Sequence, residues 1–513
     1  MNLSYTVTLL KASLGQAPKW ILFILVLVTA GNLVSVFAID IHPDEAYYWA
    51  WSVYPDIGYL DHPPMVGWMI WLVDKLFGIN NFTLRLPALL SWAVAIVCVY
   101  KISTKHHGGP IYGWLAAAVL SILPVFQAAS HIITPDTPLL LFTVLAYYFL
   151  FNAVASDSPR DWLLTGAMAG LGLLSKYNAV LLPAIFFLGL LVSNAGRKKL
   201  AHYSPWLASI IAALLFLPVV YWNYQNDWAS FSLQIGHGVG EKFKLENIGV
   251  YIGGQLGAAL IWILLLMAIA TFIRFRARTG DPGNSRVFQN ILVTGFWLPL
   301  VFFGWASGTT VGQVNWPAMA YFPGSILLAG MLGNYMHAGE EKPKPRAKLA
   351  VASLLIFSCL FSVTLVNIFR FPIEAKRIGL GILPTNTQLS DTYGWTQLKN
   401  RIEEISQRNH LGPECRIYLS TKYMWSSMIY RFRDVERFAI LPGRIHNQYA
   451  NWASRGFFDK RKPCLVVERL PLDQGKYASE KEWEGLGKWQ LIDKLVTPTS
   501  DTPRIYGFYL PVQ

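Results

Sequence analysis

Residues 18–64, PKWILFILVLVTAGNLVSVFAIDIHPDEAYYWAWSVYPDIGYLDHPP, join a long apolar run to a polar segment that follows it directly. The apolar part, residues 18–39, is long enough to cross the ~30 Å hydrocarbon core of a bilayer as a helix. The polar part, residues 42–64, holds acidic residues and two histidines among aromatic residues. A polar segment at the end of a membrane span indicates chemistry at a membrane surface.

The rest of the chain has the composition of a membrane protein. Only 14% of its 513 residues are charged, whereas soluble proteins carry about 25%. Apolar runs recur up to residue 370, and a helix satisfies its own backbone hydrogen bonds in lipid. We therefore predict an α-helical polytopic membrane protein with about eleven spans, at residues 18–39, 82–101, 111–129, 137–155, 161–175, 177–194, 204–222, 249–273, 288–306, 316–336 and 347–368.

Basic residues predict the orientation of these spans. With a cytoplasmic N-terminus, the cytoplasmic loops hold most of the lysines and arginines that precede residue 369, among them Lys105, Arg197, Lys198 and Lys199. Positively charged loops remain on the cytoplasmic side. The net charge of +13 then reflects topology and attraction to membrane lipid, and no motif of a nucleic-acid-binding protein is present in the sequence.

An odd number of spans places residues 369–513 outside. Residues 412–422 and 462–470 are strand-like, and residues 396–408 have the apolar spacing of a helix. The sequence thus predicts a transmembrane domain at residues 1–368 and a small extracytoplasmic α/β domain at 369–513. Cys415 and Cys464 lie in the second domain, where they either form a disulfide or remain free thiols.

The unusual polar residues of the predicted spans and loops collect on the outer side. Charged groups near hydrocarbon are costly unless they are paired or at a wet site, so their convergence indicates a functional site. Residues 44–52 and 64–78 of the first outer loop are predicted to be interfacial helices. The polar residues are Asp44, Glu45, Asp61 and His62 in that loop, Arg85 at the end of the second span, Asp136 at the start of the fourth, and Lys176 in an outer turn.

Several motifs together resemble one family. These are HPDEAYYWAWS (42–52), GYLDHPPMVGW (58–68), RLPALL (85–90), TPDTPLLLF (134–142), LLSKYN (173–178) and VNWPAMAY (314–321). They resemble the GT-C membrane glycosyltransferases, in the group related to protein O-mannosyltransferases and to the aminoarabinose transferase of lipid A. The resemblance implies a GT-C fold in a bacterial inner membrane, with transfer of one sugar from a polyprenyl-phosphate donor on the periplasmic face.

The resemblance also implies roles for individual residues. Asp44 matches the family's catalytic aspartate of the first loop, Asp136 matches a second acidic position that shapes the site, and Lys176 matches a basic position near the donor phosphate. Asp61 and His62 match an acidic residue followed by Lys, and Trp316 lies in a segment that lines the same cavity. Two positions depart from the aminoarabinose transferase pattern, because Tyr47 stands where Arg is expected and His62 where Lys is expected. The donor sugar is therefore open.

The proposed chemistry needs these residue types. Positive charge develops on the sugar and negative charge on the departing phosphate, so a carboxylate near the acceptor and cations near the phosphate favour the reaction. Asp44 would deprotonate the acceptor, with Glu45 beside it, while Lys176, Arg85 and His62 would supply cations. Direct displacement would invert the anomeric configuration.

Each residue also has a structural alternative. Asp44 or Asp136 could cap a helix, Glu45 could favour the positive end of a helix, and Lys176 could snorkel to the surface. His62 could be a turn residue, and Arg85 and Trp316 could anchor spans at the headgroups. A divalent cation, Mg or Mn, could bind the acidic loop, but a lipid monophosphate donor makes a metal less necessary.

Three classes of function follow from the sequence. The favoured one is a glycosyltransferase acting on a lipid or glycan acceptor such as lipid A, with a protein acceptor as the variant of this function. The second is a flippase or transporter, which would instead keep its polar groups near the middle of the membrane. The third is a scaffold that binds partners through its C-terminal domain.

Overall fold

The structure is a computed structural model of the chain. It describes residues 17–236, 243–273, 282–310, 312–337, 343–371, 377, 394–441, 448–454, 461–471, 479–483, 485–497 and 504–512. The chain forms two compact units. The first comprises Met1–Val34, His62–Val66 and Arg85–Val366, and the second comprises Ser35–Asp61, Gly67–Leu84 and Asn367–Gln513. Most of the first outer loop is therefore grouped with the C-terminal region.

Helices account for nearly all of the described chain up to Arg370. Two short 3-10 helices, Tyr177–Val180 and Ala318–Ala320, interrupt them. The α-helices are Lys19–Ala38, Pro43–Val53, Met65–Phe77, Asn81–His107, Pro110–Ile122, Pro124–Ala129, Asp136–Ser156, Pro159–Leu173, Leu181–Leu191, Asn194–Leu200, Tyr203–Gln225, Ala229–Gly236, Leu245–Ala258, Ile261–Phe272, Pro282–Ala306, Tyr321–His337 and Pro345–Arg370.

Six of the described helices are long and apolar enough to cross a membrane. They are Lys19–Ala38, Asn81–His107, Asp136–Ser156, Tyr203–Gln225, Gly283–Ala306 and Pro345–Arg370, and a bent helix pair is a seventh if it counts as one span. The polytopic helical fold is thus confirmed. The number of eleven spans is not, because the other predicted segments hold helices that are shorter or broken.

Local backbone geometry explains these breaks. Pro124 is the first residue of a new helix, and Leu123 before it is extended, as a residue preceding proline prefers. Leu260 has a φ of 60° between Leu245–Ala258 and Ile261–Phe272, which bend by 95°. A bulky residue at positive φ cannot continue a helix. Hydrophobicity stays high across both breaks, so the hydropathy pattern predicted continuous spans.

Close packing between Pro159–Leu173 and Tyr203–Gln225 depends on two glycines. A Cβ on Gly166 would meet the backbone of Ala208, and one on Gly170 would lie 2.8 Å from the Cβ of Leu215. Small residues spaced four apart let helix backbones approach in a membrane, where dispersion contacts drive association. A larger residue at Gly166 would push the two helices apart.

The C-terminal part of the second unit contains a six-stranded mixed sheet. The strands are β1 (Cys415–Leu419), β2 (Phe438–Ile440), β3 (Lys462–Leu470), β4 (Glu480–Trp483), β5 (Gly487–Thr497) and β6 (Arg504–Pro511), in the order β2-β1-β3-β6-β5-β4. β1 pairs in parallel with β2 and β3, and the remaining pairs are antiparallel. Helices Trp395–Arg408, Lys422–Phe432 and Gln448–Ser454 complete it. The small α/β domain is thereby confirmed.

Its sequence-predicted elements are present. The two strand-like runs form β1 and β3, and helix Trp395–Arg408 buries Leu398, Ile402 and Ile405 at helical spacing. Cys415 and Cys464 lie on these neighbouring strands as free thiols. Burial, followed by the nearby Cys464, raises the pKa of the Cys415 thiol above its ordinary value.

Candidate active site

Asp136, Lys176 and Asn315 form a buried polar cluster in the first unit. The Lys176 Nζ donates to both Asp136 carboxylate oxygens at 2.9 Å, and the Asn315 Nδ2 donates to Oδ2 at 2.7 Å. The side chains of Lys176 and Asp136 are only 7% and 17% exposed. Removing one partner of a buried ion pair costs about 3–5 kcal/mol, because the other charge is left uncompensated. Two predicted site residues are thus in direct contact.

Chain geometry directs both charged side chains into this cluster. Asp136 is the first residue of its helix, and the N-cap is Pro135, so the capping alternative is wrong for Asp136. Lys176 is extended, with φ −158° and ψ 142°, between Pro159–Leu173 and the 3-10 helix that follows. Its ammonium donates to Asp136 within the protein, so the snorkelling alternative is wrong as well.

An apolar cavity lies beside this cluster within the first unit. Asp136 and Asn315 line it together with Trp92, Phe126, Leu139, Leu140 and Met319, among others. Ligand sites commonly combine an apolar wall with a few polar groups that fix the orientation of the ligand. A ligand with a charged head and an apolar tail fits this combination.

Arg85 and Trp316 also belong to the first unit. Arg85 is fully buried, so its interpretation as a headgroup anchor is wrong. Trp316 directly follows Asn315 and is half-buried. Its carbonyl accepts a hydrogen bond of 3.4 Å from Asn178 Nδ2, and its ring lies 5.8 Å from that of Phe303. The Trp316 ring therefore packs against Phe303, while its backbone is next to Asn315 in the chain.

The short segment His62–Val66 is part of the first unit as well. The backbone N–H of Met65 donates to the carbonyl of Leu174 at 3.0 Å. Leu174 lies two residues before Lys176 in the chain. The turn that carries His62 is thus fixed to the segment that carries Lys176.

Helix Pro43–Val53 in the second unit begins with a capping box. His42 is the N-cap, since its Nδ1 accepts from Asp44 N at 3.1 Å, and its own N–H donates to Glu45 Oε2 at 3.0 Å. Glu45 is fully buried, so its carboxylate stabilises the start of the helix. Asp44 is not the N-cap. Its side chain is 28% exposed, with Oδ2 3.7 Å from His42 Nδ1, which leaves it the more accessible carboxylate.

Asp61 and Tyr47 form a second polar cluster, also in the second unit, with Lys422 and Gln448. The Tyr47 hydroxyl donates to the Asp61 carboxylate. Lys422 Nζ lies 3.4 Å from Asp61 Oδ1 and 3.8 Å from the centroid of the Tyr47 ring. Burial, followed by the charge of Asp61, raises the pKa of Tyr47 well above its ordinary value. Tyr47 is therefore a neutral donor that fixes Asp61.

Metal binding is not evident among the described residues. No group of three or more His, Cys, Asp or Glu side chains in the described ranges is arranged to hold a metal ion. Binding of Mg or Mn by the acidic loop therefore stays an open alternative from the sequence.

Sequence reasoning missed Asn315, Lys422 and Gln448 as site residues. Asn315 lies in the VNWPAMAY motif, so that motif did carry a signal, although only its Trp316 was singled out. Lys422 lies 361 residues after Asp61, Gln448 lies 401 residues after Tyr47, and neither carries a motif. Contacts this distant cannot be inferred from a single sequence without an alignment.

Comparisons with known proteins agree with the fold and the motifs. Residues 61–222 match the model of the dolichyl-phosphate-mannose-protein mannosyltransferase family. The lipid A galacturonosyltransferase RgtD of Rhizobium johnstonii is 28% identical over 58% of this chain and 62% of its own length. The lipopolysaccharide core galacturonosyltransferase RgtA of the same organism is 27% identical over 61% of this chain and 64% of its own length.

An undecaprenyl phosphate-alpha-4-amino-4-deoxy-L-arabinose arabinosyl transferase of Erwinia tasmaniensis is 25% identical over 65% of this chain and 63% of its own length. The chain thus spans less than two thirds of the length of these curated relatives.

Solved structures match over more of the chain. The match to the crystal structure of ArnT from Cupriavidus metallidurans bound to undecaprenyl phosphate covers 95% of this chain and 98% of the ArnT chain, with a TM-score of 0.63 and 15% identity. The match to the archaeal oligosaccharyltransferase AglB from Archaeoglobus fulgidus covers 88% of this chain and 69% of the AglB chain, with a TM-score of 0.50 and 14% identity. The predicted resemblance is confirmed: the chain has the fold of the GT-C membrane glycosyltransferases and resembles their bacterial members in sequence.

Proposed function

We propose that this protein is a glycosyltransferase of a bacterial inner membrane. It moves a single sugar from a polyprenyl-phosphate donor to lipid A, lipopolysaccharide or another envelope acceptor on the periplasmic face. The observation that carries the proposal is the Asp136–Lys176–Asn315 cluster, of which Asp136 and Asn315 line an apolar cavity. This combination suits a donor with a phosphate head and an isoprenoid tail.

The donor phosphate requires a cation. Lys176 is nearly buried, and an ammonium acts on a phosphate as a compact point charge. As the sugar departs, the phosphate gains negative charge, so a preorganised cation stabilises the transition state more than the ground state. Asp136 and Asn315 keep the Lys176 side chain in place until the donor arrives.

The acceptor requires a base. Asp44 is the more accessible of the two adjacent carboxylates, since Glu45 is engaged in the capping box. In the proposed reaction, Asp44 takes the proton of the acceptor hydroxyl or amine while the acceptor oxygen or nitrogen attacks the anomeric carbon. The bond from that carbon to the phosphate oxygen breaks, and the anomeric configuration inverts.

A uronic acid is the proposed sugar, because two of the similar relatives are galacturonosyltransferases. The chain also departs from the aminoarabinose transferase pattern at Tyr47 and His62. A tyrosine carries no positive charge, so Tyr47 does not replace the charge of the expected Arg; it is fully buried and donates a hydrogen bond to Asp61 instead.

Mass spectrometry of envelope lipids from cells with and without the gene tests the proposal. Loss of one uronic-acid increment from lipid A or core, restored by the wild-type gene but not by an Asp44→Asn variant, is the expected result. A different missing increment would correct the sugar and leave the enzyme class intact. An unchanged set of envelope glycans and proteins would refute the proposal.

A protein acceptor is the second candidate. The match of residues 61–222 to a protein mannosyltransferase family model favours it. Glycoproteomics of the same pair of strains distinguishes the two, because only this candidate predicts hexose lost from peptides while the lipids are unchanged.

A further inference from the structure

The first outer loop and the C-terminal region fold together within the second unit. Helix Lys422–Phe432 packs on helix Pro43–Val53, where the rings of Tyr430 and Trp49 meet edge-on at 5.5 Å. The Arg433 guanidinium lies 5.2 Å from the centroid of the Trp49 ring. Arg431 also forms an ion pair of 2.5 Å with Asp40. The C-terminal region is therefore joined to the acidic loop by specific polar and aromatic contacts.

Lys422 lies at the centre of this contact. Its ammonium is 3.4 Å from Asp61 Oδ1 and 3.8 Å from the face of the Tyr47 ring. A cation over an aromatic face is attracted to the ring, and the same cation neutralises the adjacent carboxylate. With side-chain exposures of 24% for Lys422 and 21% for Asp61, solvent screens this pair only in part.

Gln448 contacts the same loop at Tyr47 and Leu60. Its backbone N–H donates to the Tyr47 hydroxyl at 3.1 Å, and its side-chain Oε1 accepts from Leu60 N at 2.7 Å. The Tyr47 hydroxyl in turn donates to Asp61. Each polar group of the loop in this cluster thus has a partner in residues 422–448, and the loop is held in one arrangement.

We propose that Lys422 is a positioning residue for the acidic loop. It holds Asp61 against Tyr47 and so fixes the helix that carries Asp44. The inference rests on the proposed glycosyltransferase function, in which Asp44 is the base. Asp44 and Tyr47 are three residues apart on one helix and hence on the same side of it. A Tyr47 that moves therefore moves Asp44 with it.

The geometry gives the C-terminal region a part in catalysis. A base that is displaced by about 1 Å can lose roughly a hundredfold in rate, because the reacting atoms must be aligned. In this role, Lys422 keeps Asp44 aligned through Asp61 and Tyr47 without touching the substrate. Its loss should consequently lower kcat while the KM for the donor stays close to that of the wild type.

Lys422→Met, Lys422→Arg and Lys488→Met variants test this role with purified full-length protein and a polyprenyl-phosphate sugar donor. Lys488 is an exposed lysine on β5 and serves as the matched control. We expect Lys422→Met to lower kcat about tenfold or more, Lys422→Arg to restore most of it, and Lys488→Met to equal the wild type. Equal kcat in Lys422→Met and Lys488→Met would overturn the proposal.

A double-mutant cycle with Asp61→Asn provides a second readout. Because Lys422 acts through Asp61, the double variant should be no slower than the poorer single variant. Fully multiplicative losses would mean that the two residues act separately, contrary to the proposal. Thermal unfolding of the same four proteins measures the coupling even if the wild type transfers no sugar, so failure of the proposed function is distinguishable from failure of this inference.

Discussion

The two carboxylate clusters differ in how their negative charge is balanced. In the first unit, Asp136 is neutralised by a nearly buried lysine and fixed by an amide, beside an apolar cavity. In the second unit, Asp61 is held by a neutral phenol and by a more exposed lysine from the α/β region. In the proposed reaction, the first arrangement supplies a positive charge to the donor phosphate, and the second keeps the acidic loop in place. A cluster of acidic and basic residues in a sequence does not by itself distinguish these tasks.

Asp44→Asn should have the largest effect, and it tests whether Asp44 acts in catalysis rather than in folding. Transfer should fall roughly a hundredfold to ten-thousandfold, the usual contribution of a general base. Folding should be unaffected, because His42 and Glu45 form the capping box without the Asp44 carboxylate. Initial rates of sugar transfer and thermal unfolding in detergent measure the two effects.

Glu45→Gln is the companion variant, since Gln also completes a capping box. An equally complete loss of transfer in Glu45→Gln would mean that Glu45 shares the catalytic role predicted for it from the sequence. Retained transfer in Asp44→Asn would remove Asp44 from the mechanism.

The same substitution in the two clusters compares their charges. Lys176→Met leaves a nearly buried carboxylate unpaired and should lower the free energy of unfolding by about 3–5 kcal/mol. Lys422→Met breaks a more exposed pair and a ring contact, so a loss of about 1–2 kcal/mol is expected. Denaturation midpoints of the two variants, measured in the same detergent, provide the comparison. Similar losses would show that the two clusters do not differ in the way described.

Helix packing in the first unit supplies a smaller effect. Gly166→Val should destabilise the protein by about 1–3 kcal/mol, the usual penalty of overpacking, because its Cβ would meet the Ala208 backbone. Gly31→Ala is the control, since a Cβ at Gly31 meets nothing within 4 Å. Thermal unfolding of both variants measures the difference, and equal stabilities would contradict the close approach at Gly166.

Tyr47 provides the smallest expected effect, which appears only at alkaline pH. Its folded-state pKa is raised well above the ordinary 10.0 by burial and by Asp61. The resulting stabilisation is complete below the unfolded-state pKa and is lost as pH rises above it. Above about pH 10 the wild type should therefore lose stability more steeply than Tyr47→Phe. Parallel slopes in unfolding experiments across this range would contradict the buried, neutral hydroxyl.

Much of this fold follows from the sequence. Apolar runs located the helices, and the spacing of Leu398, Ile402 and Ile405 indicated the amphipathic helix of the C-terminal region. The break at Leu260 could not be predicted, because a positive φ leaves no trace in hydropathy. Asp136 and Lys176 were predicted to lie on the same outer side and in one site, but their ion pair was not predicted. The role of Lys422 was not predicted either, because nothing local links it to Asp61.

Asn315 has a consequence for how the Asp136 site works through a reaction cycle. An amide has no proton to gain or lose in the physiological range, so the ability of Asn315 to donate to Asp136 does not change with pH in that range. If Lys176 leaves the carboxylate for the phosphate in the proposed reaction, Asp136 keeps the Asn315 amide as a donor. In the proposed cycle, Asn315 would therefore keep the Asp136 carboxylate oriented while Lys176 contacts the substrate, so that Lys176 can pair with Asp136 again after each turnover.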